Sequence, residues 1–179
     1  MKEIIERLDK WVSENRPEYY KDLNTGLSDF EIKAWETKFG FEFPEEFKWL
    51  YQWKNRQSNS NREYFFEYQL FDSMEMVYDQ WKFGKDELSE DNEEDFIAWG
   101  HSWLRFTSML NSDGFCVDVK GDLGHPGSIV YYIHDDENEM IYPSMKKLFG
   151  TIISQFEQRV YGYNTKEDGR RVFEILDAS

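Results

Sequence analysis

The sequence predicts an α+β fold in which helices pack on one side of an antiparallel sheet of about four to six strands. Helical spacing of apolar residues dominates the first part of the chain and returns near its end, whereas short aromatic or β-branched segments separated by turn residues fill most of the stretch between. Helices, then a run of strands, then a last helix form an α+β pattern. At 179 residues the chain fits a single domain spanning residues 1–179.

Three helices are predicted in the first part of the chain. Residues 2–15 carry apolar side chains at helical spacing, and the proline that follows ends this helix. Ser28 and Glu31 have the spacing of a capping box at the start of a second helix, and Gly40 supplies the left-handed residue that ends it. A third helix is predicted to begin at Pro44, because a missing N–H costs nothing in the first turn.

The middle of the chain is predicted to contain strands and one further helix. The strongly aromatic residues 64–71 favour a strand. Asp72 and Glu75 repeat the capping-box spacing and predict a helix that ends near Gly84. Turn residues at 111–114 predict antiparallel pairing of the segments beside them. The later strands are predicted over 96–99, 103–109, 114–119 and 128–134.

The end of the chain is predicted to form a helix that packs against the second and third helices. Ser144 is expected to cap this helix and Gly162 to end it. A short docked element is expected within residues 164–179. The side chains expected to meet in one core are Trp35, Phe39, Phe47, Leu50, Phe149, Ile152 and Phe156.

The charge of the chain excludes several classes of partner. Lys and Arg total 21 against 36 Asp and Glu, a formal net charge of −15. Such a field repels phosphate backbones and anionic lipid headgroups, so we expect no direct binding of nucleic acid or membrane. It would instead steer a basic protein into contact. Without a long apolar stretch, the chain is expected to be soluble and cytoplasmic.

Residues 85–95 form the densest acidic run of the sequence. Like charges at this density repel one another and favour an extended loop. The run is either an anionic surface for a basic partner or only a solvated loop. Its acids are Asp86, Glu87, Glu90, Asp91, Glu93, Glu94 and Asp95.

The sequence contains no pattern that specifies catalysis or metal binding. Its histidines, His101, His125 and His134, are not spaced as ligand pairs. Residues 134–137 are rich in acids, but a turn between two strands explains them equally well. No nucleophile elbow or phosphate-binding loop occurs. We expect a protein with no catalytic residues, metal or cofactor; an enzyme of unknown type is the remaining alternative.

A series of short motifs in a fixed order resembles the SMI1/KNR4 family of the SUKH superfamily. Residues 26–28 read Gly-Leu-Ser, residues 43–47 Phe-Pro-Glu-Glu-Phe and residues 53–55 Trp-Lys-Asn. Downstream follow a strand ending in Asp118, a glycine loop and the helix-opening Ser144. The resemblance covers roughly residues 22–161. It departs from the family where Arg56 replaces the glycine that commonly follows Asn55.

This resemblance implies a SUKH-like fold and a function in protein binding. It implies an immunity protein that binds and neutralises a cognate protein toxin, for which the charge favours a basic, nuclease-like protein. The alternative it implies is a regulatory adaptor linked to cell-wall synthesis or signalling.

Two sets of residues follow from the motifs and the charge. The acidic run, the aromatic residues Tyr64 and Tyr68, and the acids Asp135 and Asp136 are the candidate partner-binding residues. Asp118 is expected to accept hydrogen bonds from the glycine loop. The motif residues expected to maintain the fold are Gly26, Leu27, Pro44, Trp53, Asp118, Gly127 and Ser144.

Overall fold

The computed structural model describes residues 1–57, 63–87, 102–109, 113–133, 137–165 and 171–176. Its helices are α1 Lys2–Asn15, α2 Pro17–Asp22, α3 Asp29–Phe39, α4 Glu45–Trp53, α5 Met74–Glu87 and α6 Met145–Glu157. Its strands are β1 Leu23–Thr25, β2 Lys54–Gln57, β3 Leu70–Phe71, β4 Trp103–Arg105, β5 Thr107–Ser108, β6 Gly114–Asp118, β7 Ser128–Tyr132, β8 Glu139–Tyr142, β9 Tyr161–Thr165 and β10 Arg171–Ile175.

The largest sheet within the described residues is antiparallel, with the strand order β4-β6-β7-β8. The described residues also form three two-stranded antiparallel sheets, β1-β2, β3-β5 and β9-β10. The predicted α+β class is confirmed, and the largest sheet holds the lower number of strands in the predicted range.

The two faces of the four-stranded sheet differ. Leu104, Val117 and Ile129 are direct cross-strand neighbours and belong to the main core, which also contains the apolar side chains of α6. The other face holds Cys116 and Val130, which form a small separate cluster with Trp103. Strand alternation therefore divides the apolar residues between two layers.

The predicted core is confirmed except at one position. Six of the seven expected side chains are buried in the main cluster. Trp35 instead lies half-buried at its edge, because the next residue, Glu36, takes the inward position. The Glu36 carboxylate accepts a hydrogen bond of 2.8 Å from the amide of Phe43 and lies 3.1 Å from the Lys33 ammonium. The buried acid thus fixes the loop between α3 and α4.

Helix ends follow the predicted local chemistry at both serines. The Ser28 hydroxyl accepts from the Glu31 amide, while the Glu31 carboxylate accepts from the Ser28 amide at 2.8 Å. Gly40 closes α3 with a φ of 81°. The Ser144 hydroxyl caps α6 by accepting from the Lys147 amide at 3.1 Å.

The predicted boundaries of α5 were wrong at both ends. Ser73 caps the helix, since its hydroxyl accepts from the Met76 amide at 3.2 Å. Asp72 is buried and accepts instead from the Ser108 hydroxyl at 2.8 Å. The helix also continues past Gly84 to Glu87. A tertiary hydrogen bond therefore occupies the predicted cap, and a simple serine cap one residue later takes its place.

The predicted strand 103–109 is two strands in two different sheets. β4 pairs with β6, whereas β5 pairs with β3. Between them the Phe106 amide donates to the Phe115 carbonyl and its carbonyl accepts from the Asp72 amide, both at 3.0 Å. The predicted strand 96–99 lies outside the described residues.

The end of the last helix was also predicted wrongly. α6 ends at Glu157, and Arg159 takes the left-handed conformation with a φ of 58°. Gly162 lies in β9, which pairs with β10 as an antiparallel hairpin. This hairpin is the docked C-terminal element, and Phe173 anchors it in the core.

Replacing Phe156 with alanine should lower the free energy of unfolding by about 3 to 5 kcal/mol, because a buried cavity replaces the ring. The ring stacks 4.6 Å from Trp11 and lies 5.2 Å from Tyr161 and 5.4 Å from Phe173. Urea unfolding followed by circular dichroism measures the change. Phe30→Ala is the matched control, since Phe30 is 83% exposed and its loss should cost less than about 0.5 kcal/mol. Equal effects of the two substitutions would contradict the packing of α6.

Candidate partner-binding surface

Residues 66–69 form a tight turn where the sequence predicts the middle of a strand. The Gln69 amide donates to the Phe66 carbonyl, and the Phe65 amide donates to the Gln69 carbonyl, both at 2.7 Å. The two central residues, Glu67 and Tyr68, have φ values of 45° and 63°. Positive φ at both central positions is typical of a type I′ turn, in which asparagine and glycine are preferred. The strand prediction for 64–71 is therefore wrong except at Leu70 and Phe71.

The left-handed backbone of this turn carries a conformational cost. An L-residue in this region is disfavoured by roughly 1 to 2 kcal/mol, and here neither residue is glycine. The turn persists because its flanks are firmly held. Phe65 and Phe66 are fully buried, and the Gln69 side chain accepts a hydrogen bond of 2.8 Å from the buried Thr107 hydroxyl.

The turn places Tyr68 in solvent beside two acids. Its side chain is 49% exposed, and its hydroxyl lies 3.3 Å from the Glu174 carboxylate. The Tyr64 ring packs edge-on against it, with the ring centroids 5.3 Å apart. Glu67 accepts a hydrogen bond of 3.0 Å from Tyr161. We name Tyr64, Glu67 and Tyr68, together with the buried Glu174 beside them, the acidic tyrosine surface.

A buried guanidinium fixes the backbone that leads into this surface. The Arg16 side chain donates from Nε and Nη2 to Glu63 Oε1 at 3.0 and 2.6 Å. It also donates to the carbonyls of Tyr64 at 2.5 Å and Phe65 at 2.9 Å. These carbonyls immediately precede the turn, so the guanidinium sets the path of the chain into it.

The same guanidinium is enclosed by aromatic rings from both ends of the chain. It lies 4.0 Å from the centroid of the Tyr19 ring and 3.8 Å from that of Phe173. Tyr163 in β9 donates its hydroxyl to the same Glu63 oxygen. Arg16 therefore joins α2, the turn and the C-terminal hairpin, and its own charge is shielded from solvent.

Burial and the nearby carboxylates keep the tyrosines of this region protonated. Burial is the main cause of the raised pKa of Tyr161, and the charge of Glu67 adds to it. The pKa of Tyr163 is raised by burial and by its hydrogen bond to Glu63. Tyr142, in the adjacent strand β8, also has a pKa raised by burial and by Glu67. At neutral pH Tyr161 and Tyr163 are therefore protonated and donate to Glu67 and Glu63.

The sequence matches the profile of the SMI1 / KNR4 family (SUKH-1) over residues 26–150. The chain belongs to this family. No curated protein matches the chain. The family match lies inside the region predicted from the motifs, 22–161, and ends before the C-terminal hairpin that completes the enclosure of Arg16.

The SMI1 / KNR4 motif residues at the start of the matched region maintain the junction between α3 and α4. A Cβ on Gly26 would lie 1.9 Å from the Gln52 carbonyl oxygen, so only glycine allows this approach. The Leu27 amide donates to the Tyr51 carbonyl at 2.8 Å. Trp53 donates from its indole to Asp9 at 2.7 Å. Pro44 is the N-cap of α4, so this helix begins at Glu45, one residue later than predicted.

Asp118 organises the glycine loop as predicted. Its buried carboxylate accepts from the amides of residues 121–124, at distances between 2.8 and 3.4 Å. The Ser102 hydroxyl lies 3.3 Å away. Gly127 follows with a φ of 88°. These contacts account for Asp118 and Gly127 as residues of the scaffold.

The structure brings together only part of the predicted partner-binding set. Tyr64 and Tyr68 lie side by side on the acidic tyrosine surface. Asp86 and Glu87 occupy the last turn of α5. The remaining predicted acids lie outside the described residues; they are Glu90, Asp91, Glu93, Glu94, Asp95, Asp135 and Asp136.

Sequence reasoning missed Arg16, Glu63, Glu67 and Glu174. Arg16 and Glu63 are 47 residues apart and belong to no motif. The apolar residues from Val172 to Ile175, interrupted only by Glu174, were the available signal for a strand that would carry Glu174. Within the described residues, no group of three His, Cys, Asp or Glu side chains could hold a metal ion. No described helix is both long and apolar enough to cross a membrane.

Replacing Arg16 with methionine should lower the free energy of unfolding by about 3 to 5 kcal/mol, because Glu63 would be left partly buried without its partner. Chemical denaturation measures this loss. Arg16→Lys should recover only part of it, since an ammonium cannot reproduce the planar fork. The control is Arg7→Met at the Arg7–Glu157 pair, whose side chains are 40% and 44% exposed and whose loss should cost less than about 1 kcal/mol. An Arg16 variant as stable as the Arg7 variant would contradict the role of this residue.

The protein should lose stability above about pH 10, where the tyrosines of the unfolded chain begin to ionise. The folded state raises the pKa of Tyr161 above its ordinary value. The unfolded state therefore releases the proton first, and the free energy of unfolding falls as pH rises. Tyr161→Phe should make this fall shallower, as measured by urea midpoints at pH 8 and pH 10.5. Parallel pH dependences in the two proteins would contradict the raised pKa.

Proposed function

We propose that this chain is an immunity protein that binds and neutralises a cognate protein toxin in the cytoplasm, without catalysis, through the acidic tyrosine surface. Membership of the SMI1 / KNR4 (SUKH-1) family is consistent with this role. The observation that carries the proposal is the exposed Tyr68, held in a strained turn by the buried Arg16.

The strain of the turn has no evident benefit for folding. Asparagine or glycine would adopt the same backbone at lower cost, yet Glu67 and Tyr68 occupy both central positions. Strained backbone that is maintained by its surroundings is concentrated at functional sites. The turn presents an aromatic ring with a hydrogen-bonding hydroxyl, and tyrosine is enriched in protein interfaces because it buries a large area with little loss of rotamer freedom.

The charge of the surface favours a basic toxin. Glu67 and the buried Glu174 lie beside the ring, and Arg16 beneath the surface has no exposed side-chain area. The chain as a whole carries a formal charge of −15. Opposite charge would speed association with a basic protein, and added salt would slow it. The acidic run at 85–95 is the second anionic segment available to such a partner.

The test is protection from the product of the adjacent reading frame. That protein is expressed in a host with and without this chain, and growth is measured. Co-purification of the two proteins shows whether protection comes from direct binding. Protection with co-purification is the expected result, and a complex that forms without any toxicity to neutralise would favour the regulatory adaptor.

Tyr68→Gly should separate binding from stability. Relief of the left-handed strain should roughly offset the greater backbone entropy of glycine, so the free energy of unfolding should stay within about 1 kcal/mol of the wild type. Loss of an interface tyrosine at the centre of the contact should weaken binding by about 30-fold or more. Calorimetry with the co-purified partner measures this affinity.

Phe30→Gly is the matched control, because it removes an exposed aromatic ring from the first turn of α3. It should leave the affinity unchanged, although glycine in a helix should cost about 1 kcal/mol of stability. A folded Tyr68→Gly variant that binds as tightly as the wild type would reject the acidic tyrosine surface.

A further inference from the structure

We propose that β8 is the site at which an extended segment of the partner adds a fifth strand, antiparallel to β8, with its basic residues in its C-terminal half. This inference deepens the proposed function and rests on it for its biological meaning. It concerns the sheet edge formed by Glu139–Tyr142.

The two edges of the four-stranded sheet are unequal. All three residues of β4, at one edge, are buried. At the other edge, three of the four residues of β8 are exposed. An edge strand presents backbone N–H and C=O groups that have no partner within its own sheet, and these groups can pair with another chain. The only edge of this sheet that is open to solvent is therefore β8, within the described residues.

β8 exposes two neighbouring apolar side chains. Met140 is 45% and Ile141 is 36% exposed, and Ile141 is the extra residue of a bulge, because Tyr142 and Met140 pair with the consecutive residues Ile129 and Val130. Met140 continues the row that runs from Cys116 through Val130, and both of these residues are fully buried. The apolar row thus reaches the edge and ends in solvent. A further strand would extend it, with pairing given by the backbone and specificity by alternate side chains.

Charge sets the direction and chemistry of the added strand. Glu137 and Glu139 are exposed at the N-terminal end of β8, whereas Lys146 and Lys147 are exposed just beyond its C-terminal end. The rest of this sheet is antiparallel, so an added strand that continues the pattern runs from the lysines towards the glutamates. Its basic residues would then lie in its C-terminal half, opposite the glutamates. Like charges placed opposite one another would disfavour the reverse order.

Synthetic peptides test this inference without the toxin. The acetylated and amidated peptide TVTVKVK carries its lysines in the C-terminal half, and KVKVTVT has the same composition with the order reversed. Binding is followed by nuclear magnetic resonance and by amide hydrogen exchange of Glu139–Tyr142. We expect TVTVKVK to bind at least about 10-fold more tightly and to slow exchange of the β8 amides that point away from β7. Equal binding of the two peptides, or no slowing in β8, would overturn the inference.

N-methylated peptides separate strand pairing from side-chain contact. One version of TVTVKVK is N-methylated at its even positions and another at its odd positions. Each version therefore loses the backbone N–H donors along one edge of the peptide. Strand addition uses one edge of the peptide, so one version should bind like the parent and the other should lose at least about 10-fold. The inference is overturned if both N-methylated versions bind or if neither of them binds.

Two protein variants and the dependence of amide exchange on protein concentration complete the test. Ile141→Lys should abolish peptide binding, whereas Phe30→Lys, with the same charge change on α3, should not. Slowed exchange in β8 that grows with protein concentration in the absence of peptide would show pairing between two copies and would overturn the inference. Toxin neutralisation by the Ile141→Lys variant would reject β8 as the binding site and leave the proposed function in place. Peptide binding without any toxin protection would reject the proposed function and leave the strand-addition site in place.

Discussion

The buried guanidinium of Arg16 is the interaction on which the functional surface depends. Removing a charge from water is costly, and the cost is recovered only when the charge is paired and its donors are satisfied. Arg16 meets this condition through Glu63, two backbone carbonyls and two aromatic rings. Because these partners come from three distant parts of the chain, the guanidinium orders the α2 region, the 63–71 segment and the C-terminal hairpin together.

This order is what allows a strained turn to persist at the surface. The left-handed residues Glu67 and Tyr68 would relax if their flanks were free, but Phe65 and Phe66 are buried and the preceding carbonyls are held by Arg16. Rigid presentation also lowers the entropy lost when a partner binds, since the Tyr68 ring is already placed. The cost of the turn is therefore met during folding, before any partner arrives.

Local chemistry made the helix caps at Ser28 and Ser144 predictable, whereas tertiary contacts determined most of what was missed. The Ser28 and Ser144 caps depend on residues three positions apart, so a single sequence contains all the information. The aromatic residues 64–71 resemble a strand because aromatic side chains are enriched in strands, yet the Gln69 side chain bonds to Thr107 and Arg16 binds the carbonyls that precede the turn. Tyr64 and Tyr68 were predicted as binding residues from their type alone. Their acidic neighbours Glu67 and Glu174 could not be predicted to lie together, because 107 positions separate those two residues.

The acidic tyrosine surface and the open sheet edge are coupled through Glu67. Its carboxylate accepts from Tyr161 at 3.0 Å, and its charge adds to burial in raising the pKa of Tyr142, the last residue of β8. Electrostatic interactions strengthen as water is excluded, so a basic residue of the partner that lies outside the added strand and contacts Glu67 would gain from a complex that covers both features. The two features can thus act as one interface, in which backbone pairing gives position and the tyrosines and acids give specificity.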